Sequence, residues 1–198
     1  MVAFSEKYRV AFIHIPRTGG SSVTAALLPF LDLRKGVSIR SIRQVQGRKG
    51  WQFPCHKYGH MHDTYKDGFM GDKYQYFTVV RDPWDRAVSM AKKFTEYGQV
   101  GELARNGPSR QRKFAKPQMH WLKGSNGKVW LLRFENLVED FLLFCKTMEI
   151  PFEGQFPHEN DEKLGNHRDH YKGDPMAIQM IGKKYRDDVA GLGYKMEP

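Results

Sequence analysis

Only two cysteines, Cys55 and Cys145, occur in 198 residues. That scarcity excludes a disulfide-stapled scaffold and sets the expectation of a reduced, cytoplasmic setting. Long apolar runs are also lacking: no stretch approaches the ~20 residues of a membrane-spanning helix. No signal or transit pattern precedes the first apolar run, which is consistent with a cytoplasmic location. Acidic residues are in deficit, 22 against 32 Lys and Arg, so the chain carries a formal charge of +10. Such a balance implies acidic partners and leaves open a polyanionic cofactor, an acidic polymer, nucleic acid or a membrane surface. Internal repeats and low-complexity tracts are absent. With 40% hydrophobic residues, the chain is long enough for one domain over 1–198 and short for two.

What is present starts near the N-terminus. Val10 to Ile15 is a nearly continuous apolar run with the character of a strand buried on both faces. Val23 to Leu31 follows and reads as an amphipathic helix through Val23, Ala25, Ala26, Leu27, Leu28 and Leu31. Between them lie Pro16, Arg17, Thr18, Gly19, Gly20, Ser21 and Ser22. Gly19 and Gly20 permit positive φ and close backbone approach, so amide groups can converge on an oxyanion at the positive end of a helix. Arg17 adds a fixed charge, and Thr18, Ser21 and Ser22 add hydroxyls. A purely structural turn needs the glycines and an N-cap serine but no arginine. The motif is not a Walker A loop, because Ile15 stands where its first glycine belongs and the basic residue precedes the glycines.

Strand candidates at 9–15, 74–80 and 128–134 are each followed by a helix candidate, at 21–31, 84–97 and 136–149. This alternation argues for an α/β chain, a three-layer arrangement of a parallel sheet with helices on both faces. Ligands of such sheets bind at the carboxyl ends of the strands. Further helices are expected at 116–123 and 175–189, and a loop at 157–174. The segments 34–50 and 98–116 read as basic linkers, either solvated surface or a grip for an acidic acceptor.

A second constellation follows the middle strand: Arg81, Asp82, Pro83, Trp84, Asp85, Arg86 and, further on, Ser89. Asp82 suits an N-cap and Pro83 the first helical position. Arg81 stands at the strand's carboxyl end, and Ser89 shares a helix side with Arg86 and Lys93. An arginine fork with a hydroxyl suits a second phosphate. The alternative is an Arg81–Asp85 ion pair that locks the turn.

Together, Pro16 to Ser22 and Arg81 to Ser89 resemble the 5′-phosphosulfate and 3′-phosphate loops of sulfotransferases that use 3′-phosphoadenosine 5′-phosphosulfate (PAPS). The likeness is to the carbohydrate sulfotransferases that include heparan sulfate 2-O-sulfotransferase and their short bacterial and viral relatives. It continues through Arg133 to Leu137, Glu139 to Phe141, Pro157, His158 and Asn160, and then Tyr185, Asp188, Gly193 and Tyr194. The resemblance implies a sulfotransferase fold akin to that of P-loop NTPases. It also implies that Arg17 and the Thr18 to Ser22 loop hold the 5′-phosphosulfate, and Arg81 with Ser89 the 3′-phosphate. The products would be adenosine 3′,5′-bisphosphate and a sulfated hydroxyl, on a sugar or glycan.

The family usually carries lysine where this chain has Arg17. Arginine keeps electrostatic stabilisation of a leaving phosphate but does not readily donate a proton. A base for the acceptor is sought in Cys55 to His62, where the resemblance favours His60, with His56 and His62 as alternatives. Imidazole is suited to accepting a proton near neutrality. The same segment holds metal-ligand residue types, but its spacing matches no closed zinc pattern, and no metal is expected. Two rivals are a nucleotide kinase, which would need a Walker lysine and a Mg²⁺-binding carboxylate, and a basic nucleic-acid-binding module using Trp51, Phe53 and Tyr58.

Overall fold

In the computed structural model, the described residues are 2–31, 73–94, 99–106, 115–123, 128–159 and 165–195. The apolar runs become strands β2 (Val10–Ile13), β3 (Gln75–Val80) and β4 (Val129–Arg133). A further strand, β1 (Val2–Ser5), precedes them. The sheet order is β1-β2-β3-β4, with β2, β3 and β4 forming its three-stranded parallel part. In β2 and β3, Phe12 is paired with Phe77 and Ile13 with Thr78.

The alternation of a strand sends Val10, Phe12, Phe77 and Val79 into one core and Ala11, Ile13 and Tyr76 into another. Both sets are buried, which explains the unbroken apolar reading. β1 was not expected. It pairs antiparallel with β2, Val2 opposite Ile13, and reverses through a turn in which Arg9 takes φ 51°.

Helix α1 (Gly20–Leu27) follows β2, and α2 (Pro83–Phe94) follows β3. Next come α3 (Val100–Asn106) and α4 (Gln118–Trp121) before β4, and α5 (Leu137–Thr147) after it. The chain closes with α6 (Pro175–Lys184) and α7 (Arg186–Leu192). α3 corrects the reading of 98–116 as linker alone, since Val100 and Leu103 are buried. The expected single helix at 175–189 is instead two, divided at Tyr185. The expected loop at 157–174 contains a 3₁₀ turn, His167–Tyr171. The basic segment 34–50 and residues 107–113 lie outside the described residues.

The chain divides into two compact units. One comprises residues 1–15, 19–79 and 121–160 and holds the sheet. Its main core packs Val23, Leu27, Leu137, Phe141 and Phe144 of α1 and α5 with Phe12 and Phe77. Phe77 and Phe144 stack with centroids 4.1 Å apart. The other comprises residues 16–18, 80–120 and 161–198. It packs Trp84, Val88 and Ala91 of α2 with Leu103, Ile181 and Tyr185. Among the described residues, no helix is long and apolar enough to cross a membrane.

Candidate active site

The turn after β2 is held from helix α2. Ser89 is buried two turns into α2, and its Oγ accepts a hydrogen bond from Arg17 Nε at 2.9 Å. One turn earlier, Arg86 is 1% exposed and donates from Nε to the Pro16 carbonyl at 3.0 Å. Residues three apart on a helix share a face, so one stripe of α2 grips both neighbours in the turn. Arg86 also donates from Nη1 to the Lys116 carbonyl at 3.1 Å and lies over the Tyr185 ring. Burial pulls its pKa down, and Tyr185 and Asp188 oppose that pull. Even so, an arginine remains charged at physiological pH.

Arg17 itself has φ 67°, a left-handed conformation rare for a residue with a side chain. The sequence pointed to Gly19 and Gly20 for that role. Gly19 does take φ 86°, as the N-cap of α1. Gly20 is required for a different reason: a Cβ there would sit 2.6 Å from His14 Cδ2. At Gly19 a Cβ would come within 2.8 Å of Phe134 Cδ2, so close packing excludes side chains at both glycines.

The Gly19 carbonyl accepts from Ser22 N at 3.1 Å and Val23 N at 3.5 Å, closing the first turn of α1. The amides of Gly20 and Ser21 precede any possible i−4 acceptor in that helix and lie at its positive end. Among the expected binding hydroxyls, Ser21 is partly exposed and Thr18 is fully buried. Ser22 Oγ accepts from Glu159 N at 3.0 Å. His14, one residue beyond β2, is partly buried, and desolvation drives its pKa down to about 3. Its imidazole is therefore neutral at physiological pH.

Arg81 occupies the expected place, one residue beyond β3. It forms the ion pair that was the structural alternative, Nε to Asp85 Oδ2 at 2.6 Å. Asp82 caps α2 as expected, its Oδ1 accepting from Trp84 N at 2.8 Å and Asp85 N at 3.0 Å. Burial raises the Asp82 pKa, and those amide bonds offset part of the rise.

The sequence reading assigned Arg17 and Ser89 to different phosphates, whereas the structure joins them directly. It missed Gln118, and it named Asp188 only as part of the resemblance, with no role. Gln118 is fully buried and bonds both main-chain polar groups of Arg81. Asp188 accepts from Gln118 N at 2.7 Å and Met119 N at 2.8 Å, capping α4. Lys116-Pro117-Gln118 before an apolar turn carries a weak helix-start signal, but nothing local announces that the amide turns inward. His60, His56, His62 and Cys55 lie outside the described residues. Cys145 is buried, and desolvation pushes its thiol pKa up to about 12. It is consequently a core residue rather than a nucleophile.

A buried helix stripe thus grips an arginine-bearing turn that is next in sequence to a helix N-terminus. Comparison with known proteins supplies the family. Curated proteins and solved structures give no match. A family model described as "Sulfotransferase family" matches residues 1–195. That match takes in every element described above, and the chain belongs to the sulfotransferase family.

Proposed function

We propose that the chain transfers a sulfuryl group from PAPS to an acceptor hydroxyl, with a sugar or glycan as the favoured acceptor class. The observation that carries this reading is the Arg17–Ser89 bond at 2.9 Å in a turn leading into a helix, within a sulfotransferase chain. A nucleotide with phosphates at both ends of its adenosine needs two anion contacts, and the chain offers Arg17 with the α1 N-terminus, and Arg81. PAPS, when bound, supplies the activated sulfuryl group and a phosphate leaving group.

Everything else falls to this chain's residues. Arg17 and the amides of Gly20 and Ser21 bind and orient the 5′ anion and stabilise the charge that grows there. Such a preorganised donor is typically worth ~3 kcal/mol of barrier. The left-handed turn and the Pro16–Arg86 bond hold Arg17 in place before substrate arrives. Ser89 accepts from Arg17, so its hydroxyl belongs to the 5′ contact at least as much as to the 3′ one. Arg81 contributes the 3′ contact, with Asp85 fixing its Nε. His60 takes the acceptor proton, with His56 and His62 as the alternatives. No metal is required, and we take the two units as one functional domain of a cytoplasmic enzyme.

Calorimetry with adenosine 3′,5′-bisphosphate, AMP and ATP tests the donor class; the bisphosphate is expected to bind tightest. ATP binding as well as or better than the bisphosphate would overturn the reading. Sulfate transfer to a panel of neutral and acidic glycans then tests the acceptor. The variant His60→Ala is expected to lose ~10²- to 10⁴-fold in turnover while keeping bisphosphate affinity. Unchanged turnover would remove His60 from the mechanism.

A further inference from the structure

Resting on the reading of Arg81 as the 3′-phosphate contact, we propose that Gln118 is the positioning residue that sets selectivity for a 3′-phosphorylated nucleotide. It does so through the main chain of Arg81. Gln118 Nε2 donates to the Arg81 carbonyl at 2.7 Å, and Gln118 Oε1 accepts from Arg81 N at 2.9 Å. The two bonds form a closed amide clasp, and Gln118 is 0% exposed.

Where a strand ends, main-chain groups lose their ladder partners and usually turn to water or a neighbouring turn. Here a side chain replaces the ladder and fixes the root of Arg81. Its far end is fixed too, since Nε is bonded to Asp85. An arginine held at both ends loses little freedom on meeting an anion, and that preorganisation appears as affinity.

The clasp is itself anchored. Both carboxylate oxygens of Asp188 hold the amides of Gln118 and Met119. Tyr185 Oη donates to the Ala115 carbonyl at 3.1 Å and Arg86 Nη1 to the Lys116 carbonyl at 3.1 Å. The segment 115–119 is therefore pinned through four of its residues, and Gln118 passes that rigidity to Arg81. Arg86, by contrast, reaches the turn at Pro16. Arg86 thus serves both the turn and the 115–119 segment, whereas the side chain of Gln118 bonds Arg81, so a Gln118 variant isolates the Arg81 contact.

The experiment is calorimetry on the full chain with two probes, adenosine 3′,5′-bisphosphate and AMP, which lacks the 3′-phosphate. Gln118→Met keeps the length and removes both bonds. Its bisphosphate affinity is expected to fall about tenfold with AMP affinity within about twofold of the parent, a ratio that general loosening would not change. Gln118→Glu keeps the acceptor and loses the donor, and a smaller fall in the same ratio is expected.

A wild-type ratio in either folded variant, or equal losses for both probes, overturns the proposal. Absence of any bisphosphate preference in the unaltered chain would instead overturn the reading of Arg81 on which it rests. Should neither variant fold, hydrogen exchange on the unaltered protein decides. The Arg81 amide is expected to exchange more slowly with bisphosphate than with AMP, and equal slowing by both would count against the clasp.

Discussion

The two units are built from different interactions. In the sheet-bearing unit, cohesion comes from rings: Phe77 stacks on Phe144 at 4.1 Å, and Phe141 meets Phe152 and Phe156 at 5.1 Å each. Among the described residues, its buried polar ones are small hydroxyls, Ser5, Ser22, Thr24 and Thr78. In the other unit an apolar core is threaded by Arg81, Arg86 and Asp188, the buried charged residues among those described, together with Gln118. Ring packing tolerates small shifts at modest cost, whereas buried charges demand fixed partners in fixed directions. The first unit is a scaffold of area, and the second is a device for placing a few atoms.

The sharpest way to break that contrast is to remove one member of each network. Phe144→Ala is expected to cost ~3–5 kcal/mol as transfer and cavity terms add. Arg86→Met strands the Pro16 and Lys116 carbonyls at about 1–3 kcal/mol each, hence roughly 2–6 kcal/mol in all. Urea denaturation measures both losses, and they are expected to be comparable. The difference lies in what the remaining folded protein can do. Under conditions where both variants are folded, Phe144→Ala should bind adenosine 3′,5′-bisphosphate as the parent does, and Arg86→Met should bind it at least tenfold more weakly. Equal binding by the two would make Arg86 a packing residue and dissolve the contrast.

The same contrast explains what could be read from the sequence. Strands β2, β3 and β4 and helices α1, α2 and α5 were legible because burial of area leaves a periodic trace, as in Val10 to Ile13 or Leu137 to Phe144. β1 was not, because no Gly, Pro, Asn or Asp at 6–9 marks the turn that separates Val2 to Ser5 from β2. α3 presents only Val100 and Leu103 as buried apolar residues within a polar stretch. The division at Tyr185 has no glycine or proline to mark it. Arg17 and Arg81 were singled out because a charge beside a glycine turn or at a strand end suits an anion, and the Asp85 ion pair that was the alternative for Arg81 is formed. Gln118 was missed, and Asp188 was given no role, for the converse reason: a lone polar residue reads as surface until its partners, 37 and 70 residues away in sequence, are known.

A smaller effect tests the scaffold by pH. His14 has its folded pKa lowered to about 3 by desolvation, against an ordinary value near 6.5. Between these values the unfolded chain binds the proton and the folded chain does not. The contribution is therefore fully present above pH 6.5 and is lost as pH falls toward 3. At pH 4.5 the loss amounts to roughly 2–3 kcal/mol relative to neutral pH. Denaturation midpoints for the parent and His14→Gln, compared at pH 7 and pH 4.5, check the sign. The parent should lose more on acidification, and parallel losses would remove His14 as the source.

The smallest expected effect sharpens the other side of the comparison, by asking whether the charge of Asp82 contributes or only its oxygen. Its Oδ1 caps α2 through Trp84 N and Asp85 N, while burial raises its pKa above the ordinary carboxylate value. Ionisation at Asp82 therefore opposes folding, and its contribution declines as pH rises through the folded pKa. Asp82→Asn keeps the acceptor and removes the buried charge, so it is expected to match the parent or slightly exceed it at pH 7. Asp82→Ala removes the acceptor and should lose ~1 kcal/mol. If thermal melts instead place Asn level with Ala, the carboxylate's attraction to the helix amides outweighs its desolvation. Buried charge would then support this unit even at a simple cap.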